Sequence, residues 1–156
     1  MKLKVYRLRE AAKIPYRSHE TDAGLDIHYC PDNKKKLYAE DKEFYIPPHT
    51  SRVLPTGIKV EIPHGHMLEI KNKSSVALFG QLLVGAGVVD EGYDGEIYVN
   101  LHNVGPTTQV IQPGQKVAQV VMIPVVYCKV EEVQTDKLLN LNSSRGNRGF
   151  GSTGDM

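Results

Sequence analysis

Residues 85–96 read GAGVVDEGYDGE, and this stretch predicts the fold around it. Val88 and Val89 are β-branched, which is typical of a buried strand, and Asp90 follows them directly. A glycine turn carries the chain to Tyr93, and an alternating strand resumes after it. We therefore predict a β-hairpin whose tip presents one carboxylate and one aromatic ring. A tight turn in which Asp90 only caps the backbone fits the same residues.

Turn signals recur at short intervals along the whole chain. Its 156 residues include 14 glycines and 9 prolines, and short β-branched or alternating segments lie between the turns. One short helix is predicted at residues 74–79, where Ser74 or Ser75 could cap the first turn. The pattern predicts an all-β fold, a jelly-roll-like β-barrel. Besides the strand near Asp90, predicted strands cover residues 2–8, 51–54, 58–61, 66–71, 81–84, 108–112, 116–123 and 126–133.

The composition fits one globular domain with a core, because 40% of the residues are apolar and 24% are charged. No apolar run is long enough for a membrane span, and the N-terminal residues lack the apolar centre of a signal peptide. Cys30 and Cys128 form no CxxC pair and indicate a reducing setting. We expect a cytoplasmic protein, or a nuclear one if the source is eukaryotic. A net charge of +1 does not indicate an overall electrostatic attraction to nucleic acid, so we expect no nucleic-acid partner.

Two segments depart from the barrel pattern. Residues 31–44 are polar and carry three consecutive lysines close to acidic residues. A solvated hairpin is the favoured interpretation, with a phosphate- or nucleic-acid-binding role for the lysines as the alternative. Residues 140–156 are rich in glycine and serine and lack core-forming periodicity, so we predict a flexible C-terminal arm. The predicted organisation is a barrel at residues 1–139 and a tail at residues 140–156.

The tail combines features of an anion-binding loop. Arg145 offers charge-assisted donors, Ser152 and Thr153 add hydroxyls, and the glycines free backbone N–H groups. A conventional P-loop is excluded because its lysine is missing. The alternative is a disordered tail with no binding role. The lone aromatic residue Phe150 instead indicates that the tail packs against a planar group.

Two internal stretches are open to two interpretations each. Lys73, Ser74 and Ser75 lie between a strand and the short helix, where they could seat a phosphate or simply cap the helix. Gln119 interrupts an apolar strand, either on its polar face or as a buried amide aimed at a site.

Direct metal ligation and covalent catalysis are both disfavoured. His64 and His66 could share a strand face, but no Cys/His cluster completes a zinc set. The chain has no GxSxG motif. If Asp90 acts chemically, it activates water rather than forming a covalent intermediate.

Five motifs occur in order along the chain. They are AGLDI, PTGIKVEIPHG with KSSVA, GAGVVDEGYDGE, GQKVAQVV and RGNRGFGSTG, within residues 23–154. Together they resemble the five motifs of the homotrimeric dUTPases. The resemblance implies a jelly-roll fold, hydrolysis of dUTP to dUMP and pyrophosphate, and a homotrimer with shared active sites. It also implies Mg²⁺ held by the three phosphates and water.

The resemblance assigns roles to individual residues. Asp90 matches the acid that activates water for in-line attack at the α-phosphorus, and Tyr93 matches the ring that excludes a ribose 2′-hydroxyl. Ser74 matches a hydroxyl near the α–β bridging oxygen, and Gln119 matches a phosphate contact. Asp26 matches a residue that supports the metal through water. The other substrate-binding residues that the resemblance implies are Lys73, Ser75, Gly87, Val88, Val89, Tyr98, Arg145, Phe150, Gly151, Ser152 and Thr153.

The chain departs from the family pattern at two positions. Lys73 lies where the family usually has arginine. The ammonium group of lysine is a point charge and lacks the planar guanidinium that donates two parallel hydrogen bonds, so we expect weaker phosphate binding. Asp94 also replaces an arginine and puts an anion near the expected polyphosphate site.

Two other functions are considered. One is the related dCTP deaminase, which Asp90 and the full tail disfavour. The other is a regulator that binds a protein partner through residues 31–44 and responds to nucleotide.

Overall fold

The computed structural model describes residues 1–32, 39–40 (backbone only), 42–139 and 141. Strands are the main regular secondary structure of these residues, which also contain one short α-helix and one 3₁₀ helix. The all-β prediction is therefore confirmed. The helix α1 spans Ser74–Gly80, and the 3₁₀ helix spans Asp136–Leu138. The strands are β1 Lys4–Arg7, β2 Leu25–His28, β3 Ala39–Glu40, β4 Glu43–Ile46, β5 Ser51–Pro55, β6 Ile58–Glu61, β7 His66–Lys71, β8 Leu82–Val84, β9 Val88–Val89, β10 Tyr98–Asn103, β11 Gln109–Ile111 and β12 Lys116–Pro124.

The strands form four sheets, with the orders β1-β6, β5-β10-β8, β11-β4-β3 and β2-β12-β7-β9. The four-stranded sheet positions the candidate site, because β7 pairs with β12 on one side and β9 on the other. Gln119 of β12 lies between Asp26 of β2 and Lys71 of β7. Val89 of β9 lies opposite Leu68, near the other end of β7.

The core is built mainly from alternate, inward-facing residues of strands such as β5, β6 and β10. In β10, Val99 and Leu101 are buried, whereas the alternate residue His102 is exposed. Leu54 and Ile58 contribute to the same core from β5 and β6. Burial of each such aliphatic side chain stabilises the fold by roughly 1.5–3 kcal/mol relative to an exposed one.

The predicted hairpin around Asp90 is wrong. The strand β9 pairs with β7, whereas β10 pairs with β5 and β8, so the two strands belong to different sheets. Residues 90–97 therefore form a loop between sheets, which we call the Asp90 loop. Val89 is buried as expected, but Val88 is 63% exposed. A two-residue strand at the sheet edge buries only the side chain that faces the core.

Other local predictions need correction as well. Residues 126–133 form no strand, and both Val126 and Val130 are exposed, because an alternating pattern is satisfied only where a partner strand exists. The helix begins at Ser74, but its N-cap is Lys73, and no side-chain cap hydrogen bond forms among the described residues. A capping role for Ser74 or Ser75 is therefore wrong.

The polar segment at residues 31–44 ends in a hairpin, since β3 pairs antiparallel with β4. Residues 33–38 and 41 lie outside the described residues, so the role of the three lysines stays a prediction. Two compact units are present, Met1–Val126 and Tyr127–Met156. The predicted boundary between residues 139 and 140 stays a prediction, because residues 140 and 142–156 are not described. In the described chain, no helix combines the length and hydropathy of a membrane span.

Asn103 joins three segments of the fold and is only 1% exposed. Its side-chain amide donates to the carbonyl oxygens of Ile46 and Thr107, both at 2.8 Å, and its side-chain oxygen accepts from the Gly105 N–H at 2.9 Å. Asn103→Ala leaves these buried groups without that partner, so we expect the free energy of unfolding to fall by about 2–4 kcal/mol in urea denaturation. Gln109→Ala, which removes one longer exposed hydrogen bond, is the control. A loss below about 1 kcal/mol in Asn103→Ala would contradict this account.

Candidate active site

A pocket of about 170 Å³ lies beside the Asp90 loop. It brings together five residues that the sequence analysis assigned to the site. Its volume suits part of a ligand, such as one planar ring, rather than a whole drug-sized molecule. The lining residues are Ile70, Ala86, Val88, Val89, Asp90, Tyr93, Ile97 and Tyr98.

The Asp90 side chain is exposed at the end of β9. Its backbone carbonyl accepts a hydrogen bond from the Tyr93 N–H at 3.1 Å, which closes the turn. Among the described residues the Asp90 carboxylate itself accepts no hydrogen bond. The side chain therefore does not cap the turn, and the carboxylate is available to a water molecule or a ligand.

Gly87 lies where the chain passes close to β7. The Ile70 N–H donates to the Gly87 carbonyl oxygen at 2.6 Å. A Cβ atom at Gly87 would lie 3.0 Å from the Ile70 carbonyl oxygen, closer than side chains normally approach backbone. Glycine therefore allows the backbone to pass close to β7 between Ala86 and Val88, two residues that line the pocket.

The Tyr93 ring folds back over the Asp90 loop. Its hydroxyl donates to the Glu96 carbonyl oxygen at 2.9 Å. A Cβ atom at Gly95 would lie 2.3 Å from the same hydroxyl, so the ring position requires glycine there. Tyr93 is 45% exposed and lines the pocket.

Carboxylates on the Asp90 loop attach it to neighbouring turns. Glu91 accepts a hydrogen bond from the Gly65 N–H at 2.9 Å and contacts the His64 ring nitrogen at 2.9 Å. Glu96 accepts from the Gly57 N–H at 2.7 Å and forms an ion pair with Arg9. These attachments are not evident from the sequence, because the partners lie between 26 and 87 residues away along the chain.

A second group of predicted residues surrounds Asp26, which is 4% exposed. Lys73 Nζ lies 2.8 Å from Oδ1, and Lys116 Nζ lies 2.6 Å from Oδ2. The Ser18 hydroxyl donates to Oδ2 at 3.3 Å. Burial acts to raise the pKa of Asp26, but hydrogen bonds and charges from Lys116 and Lys73 hold it below its ordinary value. Lys116 belongs to this cluster and was not predicted as a candidate site residue, although GQKVAQVV contains it.

Gln119 is half-buried beside this cluster. Its amide donates to the Asn72 carbonyl oxygen at 2.8 Å, next to Lys73. A Cβ atom at Gly24 would lie 2.1 Å from the Gln119 side-chain oxygen, so glycine in AGLDI leaves room for this amide. A cavity of about 470 Å³ runs from Lys73 and Lys116 along α1. Ser74 and Ser75 begin α1 here, and both are exposed.

The described site residues thus form two groups within one chain. The first is the pocket with Asp90, and the second is the cluster of Asp26, Lys73 and Gln119. Antiparallel pairing places Asp90 beside the start of β7 and Gln119 beside its end, about 13 Å apart along the strand. The predicted tail residues Arg145, Phe150, Gly151, Ser152 and Thr153 lie outside the described residues.

The sequence model of the dUTPase family matches residues 10–154. The chain belongs to the dUTPase family. It is 43% identical over 156 residues to the deoxyuridine 5′-triphosphate nucleotidohydrolase of Gloeothece citriformis, covering 99% of this chain and 97% of the relative. The same enzyme of Clostridium novyi is 36% identical over 156 residues, with 99% of both chains covered. The fowlpox virus enzyme is 34% identical over 150 residues, with 96% and 95% covered.

Solved structures of family members share the fold. The dUTPase of Staphylococcus bacteriophage 80alpha with dUPNHPP superposes with a TM-score of 0.82 at 25% identity, covering 99% of both chains. The dUTPase from phage phi11 of S. aureus gives a TM-score of 0.74 at 25% identity, covering 86% of this chain and 97% of that one. The jelly-roll-like architecture expected for the family is therefore confirmed.

The Asp26 cluster predicts a pH-dependent stability. Because the folded-state pKa of Asp26 is lowered, its charge stabilises the protein above its ordinary pKa of 3.8, and this contribution is lost as the pH falls through the folded-state value. Asp26→Asn should lower the free energy of unfolding by about 1–3 kcal/mol at pH 7, because two partly exposed lysines lose their charged hydrogen-bond acceptor.

The measurement is urea denaturation of both proteins at pH 7 and at several values below pH 3.8. The difference between them should shrink in the acidic range. Glu61→Gln, which removes an exposed ion pair with Lys4, should change stability by less than about 1 kcal/mol. A difference between wild type and Asp26→Asn that does not depend on pH would contradict the assigned role of the charge.

Proposed function

We propose that this protein is a dUTP diphosphatase that hydrolyses dUTP to dUMP and pyrophosphate. This activity limits uracil entry into DNA and supplies dUMP for thymidylate synthesis. The observation that carries the proposal is the pocket that combines the Asp90 carboxylate, the Tyr93 ring and exposed backbone in a chain of the dUTPase family.

The pocket binds the uracil and the deoxyribose. Backbone groups near Gly87 and Tyr98 hydrogen-bond the base, and apolar β9 side chains exclude water from it. The Tyr93 ring lies under the sugar, where its bulk leaves no room for a ribose 2′-hydroxyl. The hydrogen bond from Tyr93 to the Glu96 carbonyl oxygen fixes the ring in this position.

Asp90 acts as the general base. Its free carboxylate takes a proton from a water molecule as the water oxygen attacks the α-phosphorus in line with the leaving group. A new bond forms between the water oxygen and the α-phosphorus, and the bond from the α-phosphorus to the α–β bridging oxygen breaks. Pyrophosphate leaves and dUMP remains.

The Asp26 cluster binds the phosphate end of the substrate. Lys73 supplies a positive charge, Gln119 an amide, and Ser74 and Ser75 hydroxyls, with Ser74 near the α–β bridging oxygen. Because Asp26 holds Lys73 and Lys116 together, it sets where these ammonium groups lie.

We also propose Mg²⁺ as the cofactor. Within the described residues, no group of three His, Cys, Asp or Glu side chains could hold a metal ion directly. Mg²⁺ keeps several waters and binds through substrate phosphates, so the proposal requires no direct protein ligand. When bound, it neutralises charge on the phosphates. Asp26 would hold it only through water.

We propose that the active site is shared between subunits of a homotrimer. The register places Asp90 and the Asp26 cluster near opposite ends of β7, about 13 Å apart along the strand. This spacing supports an arrangement in which the acid of one subunit faces the phosphate cluster of another. The tail, residues 140–156 with Arg145, Phe150, Gly151, Ser152 and Thr153, closes over the base and the γ-phosphate. No described contact favours the dCTP deaminase or the regulatory alternative.

Asp90→Asn tests the assigned base. The amide keeps the size and polarity of the side chain but cannot accept the proton, so we expect kcat to fall by about 10²–10⁴-fold while dUTP binding stays close to wild type. Pyrophosphate release gives kcat, and calorimetry with a non-hydrolysable dUTP analogue gives binding. Asp136→Asn, an exposed carboxylate outside the pocket, is the matched control. Near-normal hydrolysis by Asp90→Asn would remove Asp90 from this role.

A further inference from the structure

The largely buried ion pair between Arg9 and Glu96 connects the N-terminal segment to the Asp90 loop. The Arg9 side chain is 21% exposed and the Glu96 side chain 10%. The guanidinium engages both carboxylate oxygens, with Nη1 donating to Oε2 at 3.2 Å and Nη2 bonded to Oε1. Nη2 also donates to the Cys30 carbonyl oxygen at 3.1 Å. A forked contact of this kind fixes direction as well as distance.

Glu96 also holds a glycine turn. The Gly57 N–H donates to Glu96 Oε1 at 2.7 Å, and Gly57 has a φ of +74°. The Leu8 N–H donates to the Gly57 carbonyl oxygen at 2.7 Å. A Cβ atom at Gly57 would lie 2.7 Å from the Ala12 Cβ. Three segments therefore meet at one carboxylate: the residues around Arg9, the turn at Gly57 and the end of the Asp90 loop.

Stability alone does not account for this pair. Burying two charges incurs a desolvation penalty that can exceed their attraction, so a buried ion pair is weak support for a stabilising role. Arg9 Nε is also buried and has no hydrogen-bond partner among the described residues. Burial acts to lower the pKa of Arg9, but the hydrogen bonds to Glu96 and Cys30 raise it, so the group stays charged. What the pair does supply is a fixed position for residue 96.

That position is where Tyr93 is anchored. The carbonyl oxygen that accepts the Tyr93 hydroxyl belongs to Glu96, the residue whose side chain Arg9 holds. If Glu96 shifts, the anchor of the ring shifts with it. A displacement of about 1 Å in a group that positions the substrate can lower the reaction rate by up to about 100-fold.

We propose that Arg9 is a positioning residue for sugar discrimination. It acts through Glu96 on the Tyr93 ring, and so sets how strongly the site prefers a 2′-deoxyribonucleotide to a ribonucleotide. Arg9 does not touch the substrate itself. The inference rests on the proposed function, because it concerns the sugar of the nucleotide that the pocket binds.

The test is a double-mutant cycle between Arg9 and the Tyr93 hydroxyl. Arg9→Met removes the charge and the fork at similar length, and Tyr93→Phe removes only the hydroxyl. The readout is the ratio of kcat/KM for dUTP to kcat/KM for UTP, with UTP turnover followed at high enzyme concentration. We expect each single change to lower this ratio by about tenfold. The double variant should fall no further than the more damaging single variant, because both changes release the same ring.

Lys4→Met is the matched control, since it removes another N-terminal cation whose ion pair with Glu61 is 71% and 69% exposed. It should leave the ratio unchanged. Thermal unfolding of every variant is measured alongside. If Arg9→Met does not fold, Glu96→Gln replaces it in the cycle, because it keeps an acceptor for Gly57 and removes the nearer of the two carboxylate charges on Arg9, the other being Asp32 at 3.9 Å.

Four outcomes are distinguishable. A lowered ratio that is shared with Tyr93→Phe supports the inference. An unchanged ratio, with kcat/KM for both nucleotides falling equally, means that Arg9 is only structural and overturns it. Losses that multiply in the double variant overturn it as well, since Arg9 then acts on the sugar by another route. Failure of the wild-type protein to hydrolyse dUTP would instead refute the proposed function.

Discussion

The pairing of β7 with both β12 and β9 is the constraint on which the rest of the structure depends. Because the pairs are antiparallel and in fixed register, Gln119 is held next to Asp26 at one end of β7, and Asp90 emerges from β9 at the other end. A one-residue slip would turn every side chain of a strand to the opposite face, so the buried Leu68 and Ile70 hold this register. The same register that builds each half of the site keeps the two halves apart within one chain.

The two groups of candidate site residues are held in place by different kinds of interaction. The Asp26 cluster depends on charge: a buried carboxylate keeps Lys73 and Lys116 together, and a glycine at residue 24 makes room for the amide beside them. The pocket beside the Asp90 loop depends on shape, because glycines let the Gly87 backbone approach β7 and the Tyr93 ring cover Gly95. Glu91 and Glu96 attach the connecting loop to turns of other strands. These contacts hold the side chains of the Asp90 loop in fixed positions relative to the strands around it.

The sequence predicted the all-β class, the strands 58–61 and 66–71 and the short helix, because turn residues and alternation are local signals. It also singled out Asp90, Tyr93, Lys73 and Gln119. It failed where the answer depends on a distant partner. The pairing of β9 with β7 instead of β10 and the Arg9–Glu96 pair depend on tertiary contacts that periodicity does not encode. Residues 126–133 carry an alternating pattern but form no strand, because no described strand pairs with them. The short strand Leu25–His28 was missed because its buried Asp26 interrupts the apolar pattern, and that acid is buried only because two lysines meet it.

The central claim is that Asp90 of one subunit acts on a substrate whose phosphates are held by another. The most direct measurement is complementation between two inactive proteins, Asp90→Asn and the double variant Lys73→Met with Gln119→Ala. Each is first shown to be inactive alone, and the two are then refolded together at several ratios and assayed for pyrophosphate release from dUTP. The account predicts that mixed assemblies recover activity, because some sites combine an intact Asp90 with an intact phosphate cluster. Absence of recovery at every ratio, with mixed assemblies shown to form, would contradict it.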